Sequence, residues 1–153
     1  MNLILWRHAE AHDTAGSGND LDRTLTVRGE KQAKRMGQWL DRQLPDITRI
    51  LVSPARRTEQ TAIALGRKYK IRPELAPGCT AAQLLELVLW PDEKATVLVV
   101  GHQPTLGQVI AQLLELSASE CAVKRGAVWW LRSRERDGLL QTVVVTVHSP
   151  EVL

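Results

Sequence analysis

The chain has 153 residues, of which 44% are hydrophobic and 24% charged, enough apolar content for one buried core and a single domain over residues 1–153. It contains neither low-complexity tracts nor an internal repeat, which excludes a disordered chain and a solenoid. Its net charge of +3 is modest and spread along the chain, so no stripe for nucleic acid is present, whereas a small anion such as phosphate suits it.

The first apolar run, residues 2–6, reads as a short buried strand. It ends at once in Arg7 and His8, too short for a signal segment or a membrane span. A polar stretch follows over residues 10–22, with Gly16, Ser17, Gly18, Asn19 and Asp20 marking a long flexible loop. From Thr26, a residue suited to an N-cap, the positions Ala33, Met36, Gly37, Leu40 and Leu44 recur at helical spacing until Pro45 stops them.

Residues 47–52 predict a second buried strand. Ser53 and Pro54 then stand where a helix begins, with the serine as its cap, and this helix is expected to run to about Arg67. A short helix carries Glu86, with Leu84, Leu85 and Leu89 as its structural face. Residues 96–100 are almost wholly aliphatic, as in a strand covered on both faces, and turn through Gly101 into a helix presenting Leu106, Val109, Ile110, Leu113 and Leu114 on one side. Finally, residues 127–131 and 139–147 flank a charged segment ending in Asp137 and Gly138, a hairpin signal.

Strands alternating with helices predict a three-layer α/β/α sandwich, with a mainly parallel central sheet and an antiparallel C-terminal hairpin. In such folds ligands bind at the carboxyl ends of the strands. Three polar clusters fall there: Arg7 with His8, residues 53–57, and Gly101 with His102.

Those residue types suit phosphoryl transfer, which needs a nucleophile and preorganised positive charge around the phosphoryl oxygens. Arg7 and Arg57 offer forked donors that match phosphate bidentately. His8 can attack phosphorus as a neutral imidazole, its pKa lowered by the neighbouring guanidiniums. His102 follows a glycine that permits close backbone approach, and it can donate a hydrogen bond to a phosphoryl oxygen, its protonated form suiting the transition state best.

Three segments, LILWRHAEA at 3–11, LVSPARRTEQTA at 51–62 and VVGHQP at 99–104, resemble the histidine phosphatase superfamily, and LTVRGEKQA at 25–33 extends the likeness to its short SixA-type branch. The resemblance implies a phosphoglycerate mutase-like fold. It also implies the roles: Arg7 as the first phosphate-binding arginine, His8 as the phosphorylated nucleophile, Arg57 as the second arginine with Arg56 its neighbour, and His102 as the second histidine. Arg23 stands where that branch carries a further arginine and is expected to reach the phosphate or a protein partner. Ala9 replaces the glycine of the commoner motif.

Family members acting on phosphate monoesters carry a carboxylic proton donor after the second arginine motif, often in an insertion. Residues 62–95 are short and show no such motif, although Glu74, Glu86, Asp92 and Glu93 occur there. An alkoxide needs that proton far more than an imidazole does. The resemblance therefore implies a phosphohistidine phosphatase working through a covalent phospho-His8, on a partner of the phosphorelay or phosphocarrier type. The alternatives are a phosphatase of small phosphorylated metabolites using Glu10, Asp13 or Glu74 as acid, and a phosphate- or phosphoprotein-binding module without turnover.

No metal or other cofactor is expected, because His8, Glu10 and His12 form H-x-E-x-H after a strand, not a helical H-E-x-x-H. His12 and His148 read as loop and terminal residues, and Trp6, Trp39, Trp90, Trp129 and Trp130 as packing. Cys79 and Cys121, outside any paired spacing, read as buried free thiols in a cytoplasmic protein.

Overall fold

The computed structural model describes residues 1–153. In chain order the elements are β1 (Asn2–Arg7), α1 (Val27–Gln43), β2 (Thr48–Val52), α2 (Arg56–Ile63), β3 (Lys70–Ile71), α3 (Ala81–Leu87), β4 (Thr96–Gly101), α4 (Thr105–Leu113), β5 (Val128–Arg136) and β6 (Leu139–His148). Single 3-10 turns lie at Asp20–Asp22, Pro73–Leu75 and Pro150–Val152. The strands form one sheet of order β3-β2-β4-β1-β5-β6. Its first four members are parallel, and β5 and β6 join antiparallel.

Because side chains alternate across a strand, β1 serves two cores. Leu3 and Leu5 meet Leu84 of α3 and Leu106, Val109 and Ile110 of α4. Ile4 and Trp6 meet Met36 and Leu40 of α1 and Ala62 of α2. Helices thus cover both faces, giving the three-layer α/β/α sandwich, and β4, buried along its whole length, needs its aliphatic sequence for that reason. Helix α1 starts where the Thr26 hydroxyl accepts from Gly29 N at 2.9 Å.

Several boundaries differ from the sequence expectations. Helix α2 begins at Arg56 with Ala55 in the cap position and no side-chain cap, so Ser53 does not cap it. It also ends at Ile63, not near Arg67, because the chain turns through Gly66 at φ +78°. Leu89 lies beyond the end of α3, 56% exposed, and does not share the buried face of Leu84 and Leu85. The charged segment before Asp137 is not a loop but the outer half of β5, and the turn at Asp137 and Gly138 uses two positive φ values, as a two-residue hairpin requires. The two-residue strand β3 is too short to leave a periodic signal. Both cysteines are half-buried and free, not fully buried. His148 is more than a terminal residue: its ring packs against Trp39 in a tilted arrangement, with centroids 4.3 Å apart.

Candidate active site

Parallel register brings three strand ends together. Arg7 of β1 stands beside Gly101 of β4, and Val52 of β2 beside Val100. The backbone then continues the pairing past the strands: His8 N donates to Gly101 O at 3.1 Å and Ser53 N to Val100 O at 3.1 Å. Residues far apart in sequence are thereby held on one rigid edge. Gly101 itself is not demanded by close approach, since a Cβ there would stand 3.4 Å from the Leu106 side chain.

His8 is 7% exposed, and its Nδ1 lies 2.7 Å from Ala9 O. A carbonyl only accepts, so Nδ1 carries the proton and donates, which leaves the Nε2 lone pair free for attack. The histidine pKa is lowered to about 4. Burial is the main cause; the Ala9 bond opposes it, and the charges of Arg57, Arg7 and Arg23 add to it. The guanidiniums anticipated from sequence do contribute, but desolvation leads. His8 is therefore neutral around pH 7.

Arg57, not Arg56, turns inward, being 3% exposed while Arg56 is open to solvent. One turn of α2 decides this, since adjacent helical residues point about 100° apart. Arg57 Nη1 donates to Asp20 O at 2.8 Å and Nη2 to Asp20 Oδ2 at 3.1 Å. Arg7 Nη1 donates to Val123 O at 2.7 Å. Burial depresses the pKa of both arginines without bringing either near neutrality.

His102, 5% exposed, lies with its ring centroid 5.4 Å from that of His8. Its Nε2 is 2.7 Å from the fully buried Ser53 Oγ. The Ser53 hydroxyl has no other acceptor, so it donates to Nε2 and the ring proton resides on Nδ1. Four buried side-chain nitrogens in the chain have no partner, and Arg7 Nε, Arg57 Nε and His102 Nδ1 are three of them. All three are donors, as an anion requires. The His102 pKa falls to about 3, through burial first and then the neighbouring His8 and Arg57. The ring is accordingly neutral in the free site. A bound phosphoryl dianion would act in the opposite sense.

Arg23 reaches the same locality from the loop, donating through Nε to Asp20 Oδ1 at 2.9 Å and through Nη1 to His12 O at 2.8 Å. Asp20 thus bridges Arg57 and Arg23. Although burial raises its pKa, the hydrogen bonds from Arg23 and Arg57 outweigh that and keep it ionised. Sequence does not assign Asp20 to the site, and Ser53, although it falls in the polar cluster of residues 53–57 and can assist through its hydroxyl, reads first as a helix cap. Asp20 lies in a polar loop with no periodicity, and a serine before a helix looks like a cap; only the neighbouring strand supplies its true partner.

Two of the carboxylates considered as acids are engaged elsewhere, and the third is open to solvent. Glu10 accepts from the Thr26 hydroxyl at 3.1 Å and faces Arg28 at 3.7 Å, Glu74 pairs with Arg72, and Asp13 is exposed. Ala9 is fully buried, with its N donating to Thr61 Oγ1 at 3.1 Å. No group of three His, Cys, Asp or Glu side chains is placed to hold a metal ion.

Residues 3–80 match the model of the histidine phosphatase superfamily (branch 1), and the chain belongs to that superfamily. It is a phosphatase of the SixA type by sequence and by fold. The phosphohistidine phosphatase SixA homolog of Haemophilus influenzae is 35% identical over 128 residues, covering 74% of this chain and 77% of that protein. The phosphohistidine phosphatase SixA of Escherichia coli is 35% identical over 123 residues, covering 74% of each. The structure of the protein histidine phosphatase SixA complexed with tungstate superimposes with a TM-score of 0.82 at 28% identity, over 99% of both chains. The fold alone is shared with a phosphoserine phosphatase of Entamoeba histolytica, at 18% identity and a TM-score of 0.72. No helix is long and apolar enough to cross a membrane.

Proposed function

We propose that this chain is a phosphohistidine phosphatase in which His8 Nε2 takes the phosphoryl group from a phosphorylated histidine of a partner protein. The observation that carries the reading is the pairing of a nucleophile with a missing acid. His8 is held as the Nδ1–H tautomer by Ala9 O, while Asp20, the carboxylate bonded to Arg57, is kept ionised. Such a site can attack phosphorus but has no carboxylic proton for an alkoxide. Relatives named as phosphohistidine phosphatases support the same substrate.

In the first step the His8 Nε2 lone pair forms a bond to phosphorus as the P–N bond to the substrate imidazole breaks, and that imidazole takes its proton from water. In the second, a water oxygen bonds to phosphorus, the P–Nε2 bond breaks, and inorganic phosphate leaves with His8 neutral again. Arg7, Arg57 and His102 Nδ1–H stabilise charge on the non-bridging oxygens. Arg23 supports Arg57 through Asp20. We infer that the domain works in the cytoplasm, without metal, on a carrier of the phosphorelay or phosphocarrier type.

The test is inorganic phosphate release from a phosphohistidine protein and from p-nitrophenyl phosphate, with a chelator present, for wild type and His8→Ala. Release from the protein that survives chelation and disappears in the variant is expected. An active variant, or loss of turnover on chelation, sinks the mechanism; hydrolysis of the monoester alone sinks the substrate assignment.

A further inference from the structure

The loop from α4 to β5 ends in a turn, residues 123–126, that is tied to the nucleophile's own strand. Arg7 Nη1 donates to Val123 O at 2.7 Å, Gly126 N to His8 O at 3.0 Å and Trp6 Nε1 to Gly126 O at 3.1 Å. Ala127 N closes the turn on Lys124 O at 3.0 Å. Gly126 has φ +74°, and a Cβ there would stand 2.9 Å from Pro150 Cγ. The turn is thus braced from behind by the C-terminal residues and from within by Arg7 and His8.

On this mount Lys124 and Arg125 stand side by side, both exposed. All six ion pairs of the chain are made by other residues, and neither side chain forms a hydrogen bond. Glu151 lies near enough to Lys124 to respond to its charge, yet beyond ion-pair distance. Of the other cations of this region, Arg57 and Arg23 share Asp20 and Arg28 faces Glu10, while Arg56 and Lys31 are exposed and unpaired too but stand on helices and not on the turn bonded to Arg7 and His8. Leaving two more cations without partners beside Arg7 costs like-charge repulsion, and Arg125 adds to the depression that burial imposes on Arg7. In the proposed mechanism Arg7, Arg57 and His102 serve the three phosphoryl oxygens, so the additional positive charge is in excess of what the phosphoryl group requires.

We propose that Lys124 and Arg125 form a docking collar for an acidic protein surface surrounding the phosphorylated side chain. This rests on the reading of the chain as a phosphohistidine phosphatase and names the chemistry of its partner. Long cationic side chains on a fixed turn reach outward to carboxylates flanking the phosphorylated residue, while the phosphoryl group enters between Arg7 and Arg57. Two cations are too few for a nucleic-acid track. Opposed charge speeds encounter and selects partners, and salt screens it.

The experiment uses two synthetic peptides of equal length, each with one phosphohistidine made by phosphoramidate treatment, one flanked by glutamates and the other by glutamines. Wild type is expected to prefer the glutamate peptide by about tenfold in kcat/KM at low salt, falling below about twofold at high salt. The double variant Lys124→Ala, Arg125→Ala should lose the preference while its rate on the glutamine peptide stays within about twofold, and K124E with R125E should reverse it. Equal rates of wild type on the two peptides, or an equal loss by the double variant on both, would overturn the proposal; the latter would assign these cations to the phosphoryl group itself. Phosphate release from neither peptide by folded wild type would sink the phosphatase reading, and the proposal with it.

Discussion

The floor of the site and its rim are built on opposite principles. His8, Arg57 and His102 on the floor are at most 7% exposed, fixed by strand register and by bonds to buried partners. Asp20, Lys124 and Arg125 on the rim are exposed and stand on turns. On the floor, desolvation sets protonation states: both histidines are neutral because a buried imidazolium among arginines is unfavourable. At the rim, charge is screened and acts through encounter and orientation. The proposed chemistry thus falls to buried, desolvated side chains and the proposed recognition to exposed ones.

Substitutions on the floor should break this division most. His8→Gln is expected to lower phosphate release by more than about 10³-fold without unfolding the protein, read by single-turnover kinetics and circular dichroism. Arg57→Lys keeps the charge but loses the fork, and kcat/KM should fall about 10²-fold. A variant within a few-fold of wild type would show that Arg57 acts as a point charge only.

Asp20→Ala tests whether the rim reaches the floor. Loss of a charge-assisted bond worth roughly 1.5–3 kcal/mol should reduce kcat/KM by about tenfold or more and weaken inhibition by inorganic phosphate. Asp20→Asn, which keeps an acceptor, should recover part of it. Tighter phosphate inhibition in Asp20→Ala would instead mean that the carboxylate competes with substrate. Ser53→Ala removes one neutral hydrogen bond to His102, worth about 1 kcal/mol, and should lower kcat about fivefold with little change in KM.

The smallest expected effect is that of pH on activity. With the His8 pKa near 4, kcat/KM corrected for uncatalysed hydrolysis should change less than about twofold in the nucleophile's contribution from pH 8 to 5, whereas an ordinary histidine of pKa about 6.5 would lose about thirtyfold. Stability responds in the same window. Unfolding restores ordinary histidines that bind protons below about pH 6.5, while the folded chain takes them up only near 4 and 3. The folded state therefore loses stability as pH falls from 6.5 towards 3. Thermal melts should show this, with a shallower decline in His8→Gln.

The sequence by itself determined the layered fold and the motif residues. An aliphatic run such as residues 96–100, bounded by turn residues, reads as a strand covered on both faces, helical spacing after Thr26 reads as one long amphipathic helix, and a cationic or imidazole side chain after each of three strands points to a candidate ligand edge. Their candidate chemistry could be proposed from sequence because charge and tautomeric capacity belong to residue types. What only the tertiary structure decided was pairing across long separations. Ser53 meets His102 because β2 and β4 are neighbours, Asp20 meets Arg57 because the loop folds back over α2, and residues 123–126 meet Arg7 because β5 lies beside β1. Hydrogen bonds act over about 3 Å, and no local propensity encodes which distant atom will lie within that range.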